Sequence, residues 1–99
     1  MEFKSAVVAI LKEFERAITI YPDFPVDPVH AAAIVAEESG ELVKAALELV
    51  YESKGNYDTL ATEAIQTAAM ALRFLVHLDT FECHSSDLIS TFNHIKESA

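Results

Sequence analysis

The amino-acid sequence predicts an all-α protein, a four-helix bundle in a single domain spanning residues 1–99. Hydrophobic residues make up 52% of the chain, which has only two glycines and three prolines, a composition typical of a compact helical domain. Apolar residues recur every three or four positions along most of the chain, which is the spacing of one face of a helix. Helix-breaking residues fall in short stretches between these patterns, and the stretches divide the chain into four helices.

The first helix is predicted over residues 3 to 21. Its apolar stripe consists of Phe3, Val7, Ile10, Leu11, Phe14, Ile18 and Tyr21. The charged residues placed on its other faces are Lys4, Lys12, Glu13, Glu15 and Arg16. Such an amphipathic pattern predicts that the aromatic edge packs mainly into the core. Three prolines between positions 22 and 28 then predict a short extended connection.

The second helix is predicted from Pro28 to about Ser53. Asp27 is a good capping residue, and proline at the first helical position misses no hydrogen bond. Gly55 and the following asparagine tolerate the left-handed backbone that often ends a helix. The third helix is predicted from a cap at Asp58 to about Leu78.

The third helix is apolar in every direction between positions 64 and 78, where Arg73 is its only charged residue. A helix that is apolar all round needs to be buried all round, and 99 residues can hardly enclose it within one chain. The sequence therefore predicts contact with another subunit. A short fourth helix is expected to begin at Ser85 or Ser86 and to continue to Ile95.

Charge and cysteine content narrow the class of protein. Seven basic and sixteen acidic residues give a net charge of −9, which argues against nucleic acid or an anionic membrane as the main partner. No stretch has the eighteen or so uncharged apolar residues of a membrane span, and the charged N-terminus disfavours a signal peptide. The single cysteine, Cys83, cannot form an internal disulfide, so a cytoplasmic location is expected.

The main functional signal is the segment EESGE, residues 37 to 41, on the second helix. At about 100° per residue, Glu38 falls in the middle of the apolar stripe that includes Ala31 and Ala45. An ionised carboxylate facing the interior needs a partner. Glu37 and Glu41 lie within about one turn of it, and a bound divalent cation would relieve the repulsion among the three. The alternative to a binding site is that these glutamates simply form a solvent-exposed, glutamate-rich face of the helix.

The third helix repeats this spacing of oxygen-bearing side chains. Glu63 and Gln66 are three positions apart, as are Glu38 and Glu41, so two antiparallel helices would offer two pairs to one point. All four side chains offer oxygen, and no Cys or His lies among them at ligand spacing. The set favours Mg²⁺, or Mn²⁺, over Zn²⁺.

The pattern EExxE followed by ExxD resembles that of the MazG-like, all-α nucleoside triphosphate pyrophosphohydrolases, relatives of the dimeric dUTPases. Here EESGEL is followed after twenty residues by EAIQTAAMALRFL, and the likeness covers about residues 28 to 78. The resemblance implies Mg²⁺-dependent cleavage of a (deoxy)nucleoside triphosphate to the monophosphate and pyrophosphate, in nucleotide-pool house-cleaning. It also implies a helical homodimer or a dimer of dimers, hence a homotetramer.

Carried over by position, the resemblance assigns Glu38, Glu41 and Glu63 to metal binding. Glu37 would complete a second metal site or orient the attacking water. Gln66 stands where the family normally has aspartate; its amide oxygen can ligate a metal, but with one negative charge fewer. We therefore expect weaker metal binding here.

Substrate-binding candidates outside the acidic set are Lys44, Lys54, Arg73, His30 and Phe14. For Lys44 the alternative is an ordinary solvent-exposed surface lysine. Arg73 lies on a buried helix and needs a neutralising partner, either a carboxylate or a substrate phosphate. His30, near the start of a helix, is either an ordinary structural histidine or a substrate-binding residue. The first-helix aromatic residues are either part of the core or a pocket for the base.

Other functions are open from the sequence alone. Gln66 and the scarcity of basic residues favour a binding module that retains the fold without turnover, or a helical interaction protein. Specialised cleavage of phosphoribosyl-ATP is a third alternative, supported only by the shared carboxylate pattern.

Overall fold

The computed structural model describes residues 1–83 and 94–96, and these residues contain helices and no strand. Helix α1 spans Phe3–Ile20, α2 spans Pro28–Tyr51 and α3 spans Tyr57–Val76, and a short 3₁₀ helix follows at Leu78–Thr80. The prediction of an all-α fold is confirmed. The predicted start of a fourth helix at Ser85 or Ser86 lies outside the described residues, and residues 94–96 have helical backbone.

The caps of α2 and α3 explain where these helices begin. The Asp27 carboxylate accepts a hydrogen bond of 3.0 Å from the Val29 amide, as the sequence predicts. The predicted cap at Asp58 is wrong, because the Asn56 side chain accepts the bond of 2.8 Å from the Thr59 amide. Asp58 lies instead in the first turn of α3, where its negative charge suits the positive end of the helix dipole.

The connection between α2 and α3 reverses the chain within a few residues. Ser53 has φ +53° and Gly55 has φ +75°, so both adopt the left-handed backbone. The prediction of a left-handed terminus holds for Gly55 but not for Asn56, whose φ of −159° is extended. This tight connection makes α2 and α3 an antiparallel hairpin.

Helix α3 is the central element of the fold. It packs most extensively against α2 and also against α1, while α1 and α2 have few contacts with each other. The ends of α1 and α3 meet, because Arg73 donates a hydrogen bond of 2.6 Å to the main-chain carbonyl of Tyr21. This arrangement brings side chains from all three helices toward the same part of α3.

The interior formed by the described residues is small. Its buried apolar side chains are Ala17, Ala31, Ala45 and Ala69. Large side chains of the predicted stripes remain open to solvent: Phe3 is 86% exposed, and Leu75 on α3 is 63% exposed. The expectation that Phe3 and Tyr21 lie in the core is therefore wrong, whereas the exposure of Leu75 agrees with the expectation that one chain does not enclose α3. Of the described helices, none is sufficiently long and apolar to cross a membrane.

Candidate functional site

Glu38 stands on the line of α2 that faces the interior. The two buried residues of α2 are Ala31 and Ala45, and Glu38 lies midway between them, seven positions from each. Seven residues are close to two helical turns, so the three share one face. Glu38 is partly buried, whereas Glu37 and Glu41 are exposed. The sequence prediction of a carboxylate on the core face of α2 thus agrees with the structure.

Glu63 and Gln66 on α3 are both partly buried. Gln66 precedes the two buried residues of α3, Ala69 and Arg73, by three and seven positions, so it shares their face. The Thr67 hydroxyl donates a 2.8 Å hydrogen bond to the main-chain carbonyl of Glu63. Gln66 and Glu63 therefore both lie on parts of α3 that neighbouring side chains shield from solvent in part.

The electrostatics of Glu38 show which carboxylates lie around it. Burial is the largest cause that raises its pKa above the value of a free glutamate, because removal from water disfavours the charged form. Negative charges on neighbouring side chains raise it further, in decreasing order those of Glu63, Glu37, Glu41 and Glu13. Glu38 and these four glutamates are together called the acidic site. It draws carboxylates from all three α-helices.

Glu13 is the member of the acidic site that the sequence prediction missed, since it had been placed on an outer face of α1. Only 16% of its side chain is exposed. A usable signal was present: Glu13 lies four positions before Ala17, the buried residue of α1, and three after the partly buried Ile10. The test that singled out Glu38, an acid in line with apolar core positions, would also have found Glu13.

The donor chemistry of the acidic site fits a hard divalent cation. Every member is a carboxylate, but both oxygens of Glu13 are engaged by Arg16, so the other four members are the ones open to a cation. Gln66, three positions from Glu63, adds a neutral oxygen. Within residues 1–83 and 94–96, however, no three His, Cys, Asp or Glu side chains are close enough to ligate one ion. Exposed side chains such as those of Glu37 and Glu41 have room to rotate toward a cation. The residues fit the metal by type and charge, and their side chains would have to converge on it.

Arg73 has a structural environment that differs from a phosphate site. It is 2% exposed and donates to the main-chain carbonyls of Tyr21 at 2.6 Å and Asp23 at 3.4 Å. The Phe24 ring lies 4.9 Å from its guanidinium carbon, a cation–π contact, and stacks in turn on His77. Burial lowers the pKa of Arg73, and the negative charge of Asp23 partly opposes this. Carbonyl groups and an aromatic ring, rather than a bonded carboxylate, surround the charge that the sequence had left unpartnered.

The other predicted substrate-binding residues lie outside the acidic site. Lys44 is exposed on α2, and Lys54 is exposed in the connection that follows it. His30 is exposed in the first turn of α2 and Phe14 is partly buried on α1. None of these four residues is among the groups that shift the pKa of Glu38.

The chain matches no protein-family model, no curated protein and no solved structure. The resemblance to the MazG-like enzymes therefore rests on the motif residues alone, and the structural argument rests on the acidic site itself.

Proposed function

We propose that this protein is a Mg²⁺-dependent nucleoside triphosphate pyrophosphohydrolase that acts in the cytoplasm on non-standard or excess deoxynucleotides. The observation that carries the proposal is the position of Glu38 on the core line of α2, surrounded by the charges of Glu63, Glu37 and Glu41. Such repulsion lowers stability, and a cation bound among the carboxylates would turn it into attraction. The motif resemblance adds the class of reaction.

In this proposal Glu38, Glu41 and Glu63 hold Mg²⁺, and Gln66 offers a neutral oxygen beside them. The ion, when bound, neutralises charge on the phosphate oxygens. Glu37 orients the attacking water and accepts its proton. Water adds in line to the α-phosphorus, the bond to the oxygen that bridges the α and β phosphorus atoms breaks, and pyrophosphate leaves. Most of the required work is positioning, which the helix hairpin can supply.

We further propose that the chain functions as a homodimer or homotetramer. A groove of about 400 Å³ runs between α2 and α3 and is lined by Ala32, Val35, Ala71, Phe74 and Leu75. These residues form an apolar surface, and one chain alone leaves Leu75 63% exposed. The small side chains in this surface permit close approach of another helix, and a second copy of the chain supplies helices with matching apolar faces.

The decisive experiment is pyrophosphate release from a panel of canonical and modified nucleoside triphosphates with Mg²⁺. The expected products are the monophosphate and pyrophosphate. The Glu38→Gln and Glu63→Gln variants should lose activity by roughly a hundredfold or more while remaining folded. Glu15→Gln is the control, because Glu15 is exposed on α1 and is not part of the acidic site. No release from any nucleotide at high protein concentration, with Mg²⁺ bound, would refute the proposal.

A second candidate is a nucleotide-binding or helical interaction module with little or no turnover. Gln66 favours it, because an amide in place of a carboxylate weakens the attraction for a cation. Calorimetry separates the candidates, since nucleotide binding without hydrolysis supports the module. The Gln66→Asp variant should bind Mg²⁺ about tenfold more tightly if this position is a ligand. Unchanged metal affinity would exclude Gln66 from the site.

A further inference from the structure

Helix α1 places two of its basic side chains on one face. The chain has seven lysines and arginines, and three of them, Lys4, Lys12 and Arg16, lie on α1. Lys12 and Arg16 are four positions apart and therefore neighbours on one face of the helix. Helix α1 also carries Glu13 and Glu15, so its net charge is +1 in a chain with a net charge of −9.

These two cations border a groove between α1 and α3 of about 320 Å³. Its lining consists of Ala9, Lys12, Glu13, Arg16, Thr62 and Ile65. The groove adjoins the acidic site through Glu13, which belongs to that site and also lines the groove. Thr62, another lining residue, directly precedes Glu63 along α3. A molecule in the groove would therefore lie beside Glu13.

The Arg16 guanidinium is fixed by Glu13 in a two-point ion pair. Its Nε donates to Glu13 Oε1 at 2.8 Å, and its Nη2 donates to Glu13 Oε2 at 2.7 Å. Arginine has a further edge of donors, which includes Nη1. The side chain of Arg16 is 52% exposed while that of Glu13 is 16% exposed, so the inner carboxylate holds an outer cation in place. An arginine fixed on one edge is pre-organised to bind a second anion on another.

We propose that the groove between α1 and α3 binds the polyphosphate chain of the nucleotide, with Arg16 and Lys12 contacting phosphate oxygens and Glu13 positioning Arg16. The proposal rests on the proposed function, whose acidic site lies beside the groove. The guanidinium of Arg16 can donate two parallel hydrogen bonds to a phosphate group, and the ammonium of Lys12 acts on it as a point charge. A nucleic acid backbone fits this surface less well, because the rest of the chain would repel an extended polyanion.

Inorganic tripolyphosphate is the probe, titrated calorimetrically with Mg²⁺ present. Arg16→Gln and Lys12→Gln should each weaken binding by about tenfold, as expected for the loss of one charge-assisted contact. Arg16→Lys keeps the charge but loses the fork, so we expect an intermediate affinity. Lys96→Gln is the matched control, since Lys96 is exposed and its loss changes net charge equally. Because Arg16 is half-exposed, its variants should keep the fold, which circular dichroism checks.

Glu13→Gln tests the positioning role separately. We expect weaker tripolyphosphate binding although one negative charge has been removed, because Arg16 loses its anchor. A purely repulsive role for Glu13 would give the opposite result, tighter binding. In nucleotide hydrolysis, Arg16→Gln should raise KM with a smaller effect on kcat.

Failure of this proposal is distinguishable from failure of the proposed function. Binding of tripolyphosphate that depends on Arg16, without hydrolysis of any nucleotide, supports the groove and refutes the enzyme. If nucleotides are hydrolysed but KM and tripolyphosphate affinity are unchanged in Arg16→Gln and Lys12→Gln, the assignment of the groove is overturned. The proposed enzymatic function then still stands. No binding of tripolyphosphate by the wild-type protein also overturns it.

Discussion

Glu63 on α3 raises the pKa of Glu38 on α2, so the two helices that pack most extensively against each other carry carboxylates that repel across their contact. Burial of Glu38 is the larger cause of the raised pKa, because removal from water disfavours the charged form. A protein that only needed a stable hairpin would be served better by an apolar residue on the core line of α2. A cation bound between the carboxylates would relieve this repulsion, and binding such a ligand would give the buried carboxylate a function.

The first prediction concerns the stability of the metal-free protein. Because the pKa of Glu38 is higher in the folded chain than in the unfolded chain, its contribution to stability is most favourable below the unfolded value, about 4.3 for a glutamate, and is lost as pH rises through the folded value. Glu38→Gln should remove this loss and raise the free energy of unfolding at neutral pH by about 1 kcal/mol. Thermal unfolding between acidic and neutral pH measures the effect.

The control for this measurement is Glu15→Gln, which changes net charge by the same amount at an exposed position of α1. We expect its unfolding temperature to follow the wild type at every pH. If both variants were stabilised equally, general charge repulsion rather than the environment of Glu38 would be responsible.

The second prediction concerns added Mg²⁺. A ligand that binds only the folded state stabilises it by RT ln(1 + [L]/Kd), about 1.4 kcal/mol at ten times Kd. The unfolding temperature of the wild type should therefore rise with MgCl₂ at constant ionic strength. Glu38→Gln and Glu63→Gln should be more stable than the wild type without Mg²⁺ and gain little from it. Equal gains in all three proteins would show that Mg²⁺ does not bind at these carboxylates.

The extent to which sequence predicted the fold can be judged from particular residues. Helix α2 begins where expected because Asp27 and Pro28 are a local signal that depends on neighbouring residues alone. The start of α3 was misplaced by a short distance because Asn56 and Asp58 are both good caps, and the preceding turn decides between them. Glu38 was identifiable because an acid interrupted an apolar line.

Contacts between distant residues were beyond such patterns. Arg73 and Tyr21 are 52 positions apart, and nothing in either segment indicates that a main-chain carbonyl would accept the guanidinium. Arg16 looked like an ordinary charged residue of α1, and only the packing of α1 on α3 shows that it borders a groove beside the acidic site. Periodicity gives the face of a helix, but it does not give the element that the face meets.

The third prediction concerns Arg73, which fastens the connection between α1 and α2 to the end of α3. Arg73→Met removes the hydrogen bonds to the carbonyls of Tyr21 and Asp23 and the contact with Phe24. Carbonyls left without a donor should destabilise the fold by about 1–3 kcal/mol. Chemical denaturation measures the change.

Lys44→Met is the comparison for Arg73→Met, because it replaces an exposed cation of α2 with the same side chain. Its effect should stay within about 0.5 kcal/mol. A similar small effect for Arg73→Met would mean that water replaces the guanidinium at no cost, and that the contacts of Arg73 contribute nothing to stability.

The last prediction concerns the apolar groove between α2 and α3. If another copy of the chain covers this surface, light scattering should give a mass of at least twice the 10.9 kDa of one chain. Leu75→Asp places a charge in the groove and should lower the mass toward that of a monomer, since burying an unpaired carboxylate is costly. Phe3→Asp, at a position 86% exposed and outside the groove, should leave the mass unchanged. A wild-type protein of 10.9 kDa would contradict the proposed assembly, as would a Leu75→Asp variant that remains associated.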